Sequence, residues 1–380
     1  MASISIDKKT VIIAHSFWGR GGAEIATMYL IEAIKEIYKI HIITRGGWDL
    51  NELNNFAKTS VSESEITIIK LPFSSILKHT LGGHIWHAIF LRYCRKIGSK
   101  YDIRVTASRV IGWGKPAIHF LSDVVWNDAL AAIYGNEITQ PKGLRRILFL
   151  FGKSIAGKAK FQLHKNDIFI ANSLWTAKLS TPYISTKPIV IHPPVARDFN
   201  KLSWNKRLNS FISLGRISPE KKIEDTIAII NNVRKKGFDL KLTIIGQFGD
   251  DEYSKKIDKL IKNKLWITVL GPLNGDEITD LLPQFKYGIN TCLREAFGIS
   301  TAEMFKAGIL TFVPQQGAQN EIIGSENLIF SDIQDATNKI ESILRSEELQ
   351  LYLIDNIKKK KKDFSSKKFK NEVLKIFNLL

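Results

Sequence analysis

Short apolar runs recur along the chain, each long enough for one buried strand. They fall at Thr10–His15 (TVIIAH), 40–44 (IHIIT), 66–70 (ITIIK), 102–106 (DIRVT), 117–121 (AIHFL), 167–171 (DIFIA) and 188–192 (PIVIH). Stretches of helical spacing separate several of them, as expected of a mostly parallel sheet. Pro193-Pro194 and the polar stretch 196–210 then read as a connection between domains. The pattern restarts at FISLG (211–215), KLTIIGQFG (241–249), ITVLGPL (267–273), KYGIN (286–290), ILTFVP (309–314) and LIF (328–330). The tail is helical with a break near Asp363-Phe364-Ser365, and Phe369, Val373, Ile376 and Phe377 are spaced for one apolar face. The pattern predicts an α/β chain with two sheet-building halves.

Three strand-to-helix joints carry candidate chemistry. After the first strand comes SFWGRGGAE, where Gly21 and Gly22 let a loop run close to a bound group; a tight turn explains them equally well. After FISLG, Ser218 is placed to cap a helix that begins with Pro219 and Glu220. Arg216 and Lys221 then stand near a helix N-terminus, where the dipole opposes cations and a bridging phosphate relieves that tension. The third joint is Asn290–Glu321, NTCLREAFGISTAEMFKAGILTFVPQQGAQNE, with Glu295 in a loop and Glu303 in the following helix. Gly298 permits close backbone approach, and the new helix offers unpaired N–H groups to an anion. An anionic ligand bearing hydroxyls, such as a nucleotide sugar, fits. Ser300 and Glu303 also match a capping box, so Glu303 reads either as a cap or as a ligand group.

Composition narrows the partners. The 380 residues suffice for two cores, with 44% apolar and 10% aromatic residues. A formal charge of +18 attracts nucleic acid, anionic lipid or phosphorylated ligands without choosing among them. No RNP, zinc-finger or recognition-helix motif is present, so nucleic acid is not the expected partner. Two distant cysteines, Cys94 and Cys292, imply neither a disulfide framework nor a zinc cluster, and a reducing, cytoplasmic setting is the default. The N-terminus has too short an apolar run for a signal peptide, and no span is long enough to cross a bilayer. Two segments interleave aromatics with positive charge: Ser74–Lys100, with His79, His84, Trp86 and His87, and Leu144–Lys160, with Arg145, Arg146, Lys153, Lys158 and Lys160. Each reads either as a core helix with a basic rim or as an interfacial helix on an anionic membrane. His84 and His87 lack a third ligand in reach, so no metal site is expected. Five consecutive lysines, 358–362, read most simply as a solvated face.

With GRGGAE near the start, LGRISPEK in the middle and REAFGISTAEMFKAG later, the chain resembles the GT4 family of retaining glycosyltransferases. The resemblance implies the GT-B architecture: two Rossmann-like domains facing across a cleft, with a C-terminal helix returning to the first. The implied bounds are 1–200 for the acceptor-side domain, 201–357 for the nucleotide-sugar-binding domain and 358–380 for the crossover helix. It implies that Arg216 and Lys221 hold the diphosphate, Glu303 the ribose hydroxyls and Glu295 the hydroxyls of the donor sugar. Backbone amides around Phe297, Gly298 and Ile299 would meet the diphosphate and sugar, and Leu273 would lie near the base. Gly21 and Gly22 match the N-terminal loop that closes on donor and acceptor, and His119 matches the histidine beside the reacting sugar. Two positions depart from the pattern: Lys222 stands where a glycine commonly follows the lysine, and Ala318 replaces the second glycine of GG-x-x-E.

The implied function is transfer of a sugar from a UDP- or GDP-sugar, without cofactor or metal, to a lipid-linked saccharide, glycolipid or polysaccharide precursor. The implied location is cytoplasmic, or peripheral on the cytoplasmic face of the membrane. A soluble or protein acceptor, and a noncatalytic protein binding anionic membrane or nucleic acid on the same fold, are the alternatives.

Overall fold

The computed structural model describes residues 8–71, 83–107, 110–122, 143–184 and 186–380; for residues 83, 84, 145, 149, 160 and 161 it describes the backbone alone. Part of the first basic segment, residues 74–82 with His79, therefore lies outside the described residues, as do the side chains of His84, Arg145 and Lys160.

The described residues form thirteen strands in two all-parallel sheets. Every apolar run read above overlaps one of them. The first sheet comprises β1 (Thr10–Ala14), β2 (Lys39–Thr44), β3 (Ile66–Lys70), β4 (Ile103–Thr106), β5 (Ile118–Leu121), β6 (Ile168–Ala171) and β7 (Ile189–Val190), in the order β3-β2-β1-β4-β5-β6-β7. The second comprises β8 (Leu208–Leu214), β9 (Leu242–Ile245), β10 (Ile267–Leu270), β11 (Phe285–Ile289), β12 (Leu310–Pro314) and β13 (Ile329–Phe330), in the order β10-β9-β8-β11-β12-β13. Continuous rather than alternating apolar runs suit these strands, because helices cover both faces of a parallel sheet. Val11, Ile12, Ile13, Phe211, Ile212, Phe312 and Val313 are accordingly fully buried.

The chain divides into one unit of Met1–Pro194 with Ser366–Leu380 and another of Val195–Ser365. The helix Ser366–Phe377 packs on the helix Gly22–Ile34 of the first unit. Its apolar face is buried as the spacing predicts, with Phe369 2%, Val373 0%, Ile376 7% and Phe377 1% exposed. Tyr38 donates to the Phe377 carbonyl at 3.1 Å, and Lys370 pairs with Glu32 at 3.0 Å.

The polar stretch 196–210 is not a free connection. The Arg207 guanidinium donates to the carbonyls of Leu202, Phe285, Ala307 and Gly308 at 2.9–3.3 Å, and β8 already begins at Leu208. Lys306 donates to the Val195 carbonyl at 3.0 Å, and Val195 N donates to the Phe364 carbonyl at 2.9 Å. Polarity here marks side chains that satisfy buried backbone carbonyls, which a linker and a docked segment do not distinguish in composition.

The break in the tail is a 3-10 turn at Lys361–Phe364. Phe364 is 1% exposed and packs on Phe297 and Phe305, with ring centroids 5.9 and 6.2 Å away. Phe364→Ala should destabilise the second unit by about 3–5 kcal/mol through lost burial and the cavity left behind. Urea unfolding followed by a probe in that unit reads the change.

Candidate active site

Both sheets reverse strand order once, between β1 and β4 and between β8 and β11. In open parallel sheets the chain leaves such neighbouring strands in opposite directions, which opens a crevice beyond their carboxyl ends. In the second unit, the loops leaving that point are Gly215–Lys222 after β8 and Asn290–Gly298 after β11. These loops carry Arg216, Lys221 and Glu295.

The second loop is held by a closed ring of buried hydrogen bonds. Asn290 Nδ2 donates to Thr301 Oγ1 at 3.1 Å, and Thr301 Oγ1 donates to Gln319 Oε1 at 2.6 Å. Gln319 Nε2 donates to the Cys292 carbonyl at 2.8 Å, and Cys292 N donates to Asn290 Oδ1 at 3.0 Å. Thr291 joins this loop to the other: its hydroxyl lies 2.9 Å from the carbonyls of both Lys221 and Lys222. Its one proton is shared there, so Thr226, 2.8 Å away, is the donor to Thr291. Gly317 (φ 84°) lies against the Glu295 backbone, where an added Cβ would meet Glu295 N at 2.9 Å. Ala318 N donates to the Glu295 carbonyl at 2.8 Å.

On this frame Lys221 Nζ contacts Glu295 Oε2, with the two side chains 17% and 21% exposed. Burial lowers the Lys221 pKa, but the Glu295 carboxylate outweighs it and the net direction is upward, so the ammonium is charged at neutral pH. Arg216 is different. It is 81% exposed, and its nearest acidic partner is Glu220 at 3.3 Å. The structure thus sets Lys221 and Glu295 together and leaves Arg216 at the rim.

The helix Ile299–Lys306 follows Gly298, whose φ of 97° supports the reading of a glycine-dependent turn. Gly298 is its cap, so Ser300 lies inside the first turn and no Ser300–Glu303 capping box forms. The first i→i−4 bond comes from Ala302 N, which leaves the N–H groups of Ile299, Ser300 and Thr301 without such a partner. The Phe297 ring is 3% exposed, so only its backbone can face a ligand. Glu303 is 5% exposed, with Oε1 on Arg197 Nη1; Arg197 also donates to the Gly275 carbonyl at 3.2 Å. Burial raises the Glu303 pKa, against the pull of Arg197 and Lys306. Arg197 had no signal in the sequence: it lies in the polar stretch read as a connection, 106 residues from its partner. Leu273 is half-buried beyond β10, next to the helix Gly275–Leu281.

Ser218 caps only a 3-10 turn, Pro219–Lys221, and makes no side-chain cap bond; the helix proper starts at Ile223. Between them Lys222 adopts φ 48°, ψ 50°. This left-handed position accounts for the glycine expected there. The other departure is harmless to the backbone, since Ala318 has φ −85° while Gly317 takes the positive angle.

In the first unit, Gly21 caps the helix Gly22–Ile34, and a Cβ on it would come within 2.8 Å of Glu24 Oε2. That carboxylate is the end of a flexible side chain and the φ of Gly21 is −143°, so neither the approach nor the backbone angle demands glycine there. Glu24 Oε1 accepts from Gly19 N at 3.3 Å and lies 3.7 Å from Nε2 of His15, whose ring stacks on Trp18 at 4.2 Å. His15 was hidden as the last letter of TVIIAH, yet it is the residue immediately past β1. Nδ1 of His87 lies 3.3 Å from Ser16 Oγ. His119 sits inside β5, two residues before the strand end, and is 0% exposed. Its ring stacks on Phe169, and Nε2 lies 3.3 Å from Asp167 Oδ2.

With the geometry established, the chain can be compared with known proteins. Residues 195–360 match the family model "Glycosyl transferases group 1". The matched stretch is nearly the whole second unit, and it contains the Lys221–Glu295 pair and Glu303. Across its length the chain resembles a structure of Anabaena HepE in complex with UDP and glucose, with TM-score 0.68, 13% identity, and 98% of this chain and 100% of that one covered. This likeness establishes a shared fold, the GT-B pair of Rossmann-like units. A Dictyostelium discoideum GDP-Man:Man(3)GlcNAc(2)-PP-Dol alpha-1,2-mannosyltransferase is 24% identical over 49% of this chain and 41% of its own. The phosphatidylinositol N-acetylglucosaminyltransferase GPI3 subunit of Saccharomyces cerevisiae is 25% identical over 47% of this chain and 42% of its own. The match thus spans under half the length of these two relatives.

Two predictions follow from the backbone and the thiols. Lys222→Gly should raise stability by up to about 1 kcal/mol, the left-handed penalty less the added freedom of the unfolded chain. Gly317→Ala should lower stability by at least about 1–2 kcal/mol, because its Cβ meets backbone that cannot swing aside; thermal unfolding of both variants tests the pair. Burial, reinforced by Glu295, pushes the Cys292 thiol up to about 11, and burial pushes Cys94 well up too. At pH 8 both are protonated and enclosed, so a maleimide should modify neither in the native protein and both in denaturant.

Proposed function

We propose that this protein is a retaining glycosyltransferase of the GT4 type. In this reading it moves a sugar from a nucleotide-diphosphate sugar to a lipid-linked saccharide, glycolipid or polysaccharide precursor. The observation that carries it is the Lys221–Glu295 pair beside the free N–H groups of the helix Ile299–Lys306, at the strand-order reversal of the group 1 domain. A diphosphate leaving group gains negative charge as the anomeric C–O bond breaks. A held ammonium and oriented N–H groups stabilise that charge more in the transition state than in the ground state. Arg216, exposed at the rim, closes on the same diphosphate with its planar donors. Glu303, steadied by Arg197, takes the ribose hydroxyls, and Glu295 takes hydroxyls of the donor sugar once phosphate competes for Lys221. Backbone amides of Phe297, Gly298 and Ile299 approach the diphosphate, and Leu273 flanks the base.

No protein nucleophile is assigned, because Glu295 serves in this scheme to hold hydroxyls of the donor sugar. The acceptor oxygen attacks the anomeric carbon from the face the leaving group departs, and its proton passes to the departing phosphate oxygen. The chain's own cations supply the charge in this scheme, so turnover should persist in a chelator. The lipid-linked class of acceptor is supported by the dolichol-linked and phosphatidylinositol substrates in the relatives' names.

Thermal unfolding with UDP-, GDP- and ADP-sugars is the first test, and a donor at a hundred times its Kd should stabilise the chain by about 2.7 kcal/mol. Lys221→Met should weaken that donor at least about tenfold, roughly 1.4 kcal/mol. Turnover with the stabilising donor and lipid acceptors should fall further, since Lys221 acts mainly on developing charge. If no donor stabilises the protein and none is turned over, the transferase reading is wrong and noncatalytic anion binding takes its place.

A further inference from the structure

The helix Leu144–Ala156 carries a face that no described residue covers. Leu144, Ile147, Leu150 and Phe151 are 60%, 63%, 52% and 58% exposed. No other helix among the described residues shows more than two large apolar side chains this open. The first, second and fourth fall at i, i+3 and i+7, one stripe along the helix, with Leu150 at its border. The helix packs by its opposite side on the helix Gly83–Gly98, where Gly152 and Ala156 are buried. Among the described side chains, Gly152, Ala156 and the partly buried Ile155 face inward, while Leu144, Ile147, Leu150 and Phe151 stand open.

Charge identifies the occupant. From Leu144 to Asn166 the chain has no acidic residue, and it includes Arg146, Lys153, Lys158 and Lys165. Arg146, on the border opposite Phe151, is exposed, as are Lys158 and Lys165 beyond the helix. The packed partner helix has no acidic residue either and exposes Arg92 and Lys96. A protein partner would need an apolar patch ringed by carboxylates, and a second copy of this cationic surface would repel itself. An apolar stripe bordered by cations, on a helix far too short to cross a bilayer, matches the interface of an anionic membrane.

We infer that the helix Leu144–Ala156 seats the protein on an anionic lipid bilayer, with Ile147 and Phe151 reaching the acyl boundary and Arg146, Lys153 and Lys158 meeting lipid phosphates. The inference deepens the lipid-acceptor reading and rests on it for why a bilayer is visited. None of these residues belongs to the donor site.

Flotation of the full chain with phosphatidylcholine vesicles, with and without phosphatidylglycerol, tests this directly. The wild type should float with the anionic vesicles, less with neutral ones, and less again as salt rises above about 0.1 M. The double substitution Ile147→Glu with Phe151→Glu should cut partitioning at least about tenfold, because both side chains leave the apolar layer. Its circular dichroism and its donor-induced thermal shift should match the wild type, since both positions are on the surface. Because Cys94 and Cys292 are buried, Ile147→Cys takes a solvatochromic maleimide selectively, and its emission should shift blue on anionic vesicles alone. Absence of flotation, equal flotation of the double variant, or a blue shift that grows with protein concentration without vesicles would each overturn the inference, the last in favour of self-association. Donor-induced stabilisation without flotation removes this inference and leaves the transferase reading intact; flotation without any donor effect does the reverse.

Discussion

The geometry of the two loops at the strand-order reversal depends on three buried polar side chains and two backbone groups that satisfy one another. Asn290, Thr301 and Gln319 with the backbone of Cys292 close a ring, and the neighbouring Thr291 accepts from Thr226 and donates to the lysine loop. Each such bond contributes only about 1 kcal/mol net, but an orphaned member in a dry interior costs about 1–3 kcal/mol. That asymmetry makes the ring close to all-or-none. Two loops from neighbouring strands, free to wander on their own, are thereby held as one surface.

The charges rest on that frame in two different ways. Arg197 and Glu303 are enclosed, each 6% exposed at the side chain, and removing either would strand the other in the interior. Lys221 and Glu295 keep partial contact with solvent. Arg216, open and paired with Glu220, completes a gradation from enclosed to exposed charge.

The first unit repeats the strand-order reversal with different contents. Its carboxyl edge carries aromatic stacking and a His15–Glu24 approach where the second unit has cations and N–H groups. The same unit exposes the apolar, cation-bordered helix. The charged loop pair and the open apolar helix face thus lie in different units.

The strands, their number among the described residues and the apolar face of the last helix were legible in the sequence because periodicity is local: two or four residues suffice to display it. Gly298 was legible for the same reason, as a turn that a side chain would strain. Ser300 misled, because spacing along a helix says which position a residue takes only once the element's ends are known. Arg197 was invisible, and the Lys221–Glu295 contact was read only as two separate roles. These pairings join residues 106 and 74 positions apart, and no local pattern encodes them. The sequence by itself determined which segments become strands and helices. The order of strands, and with it which loops meet at the reversal point, was decided only by tertiary structure, because burial of a charge depends on what the rest of the chain folds over it.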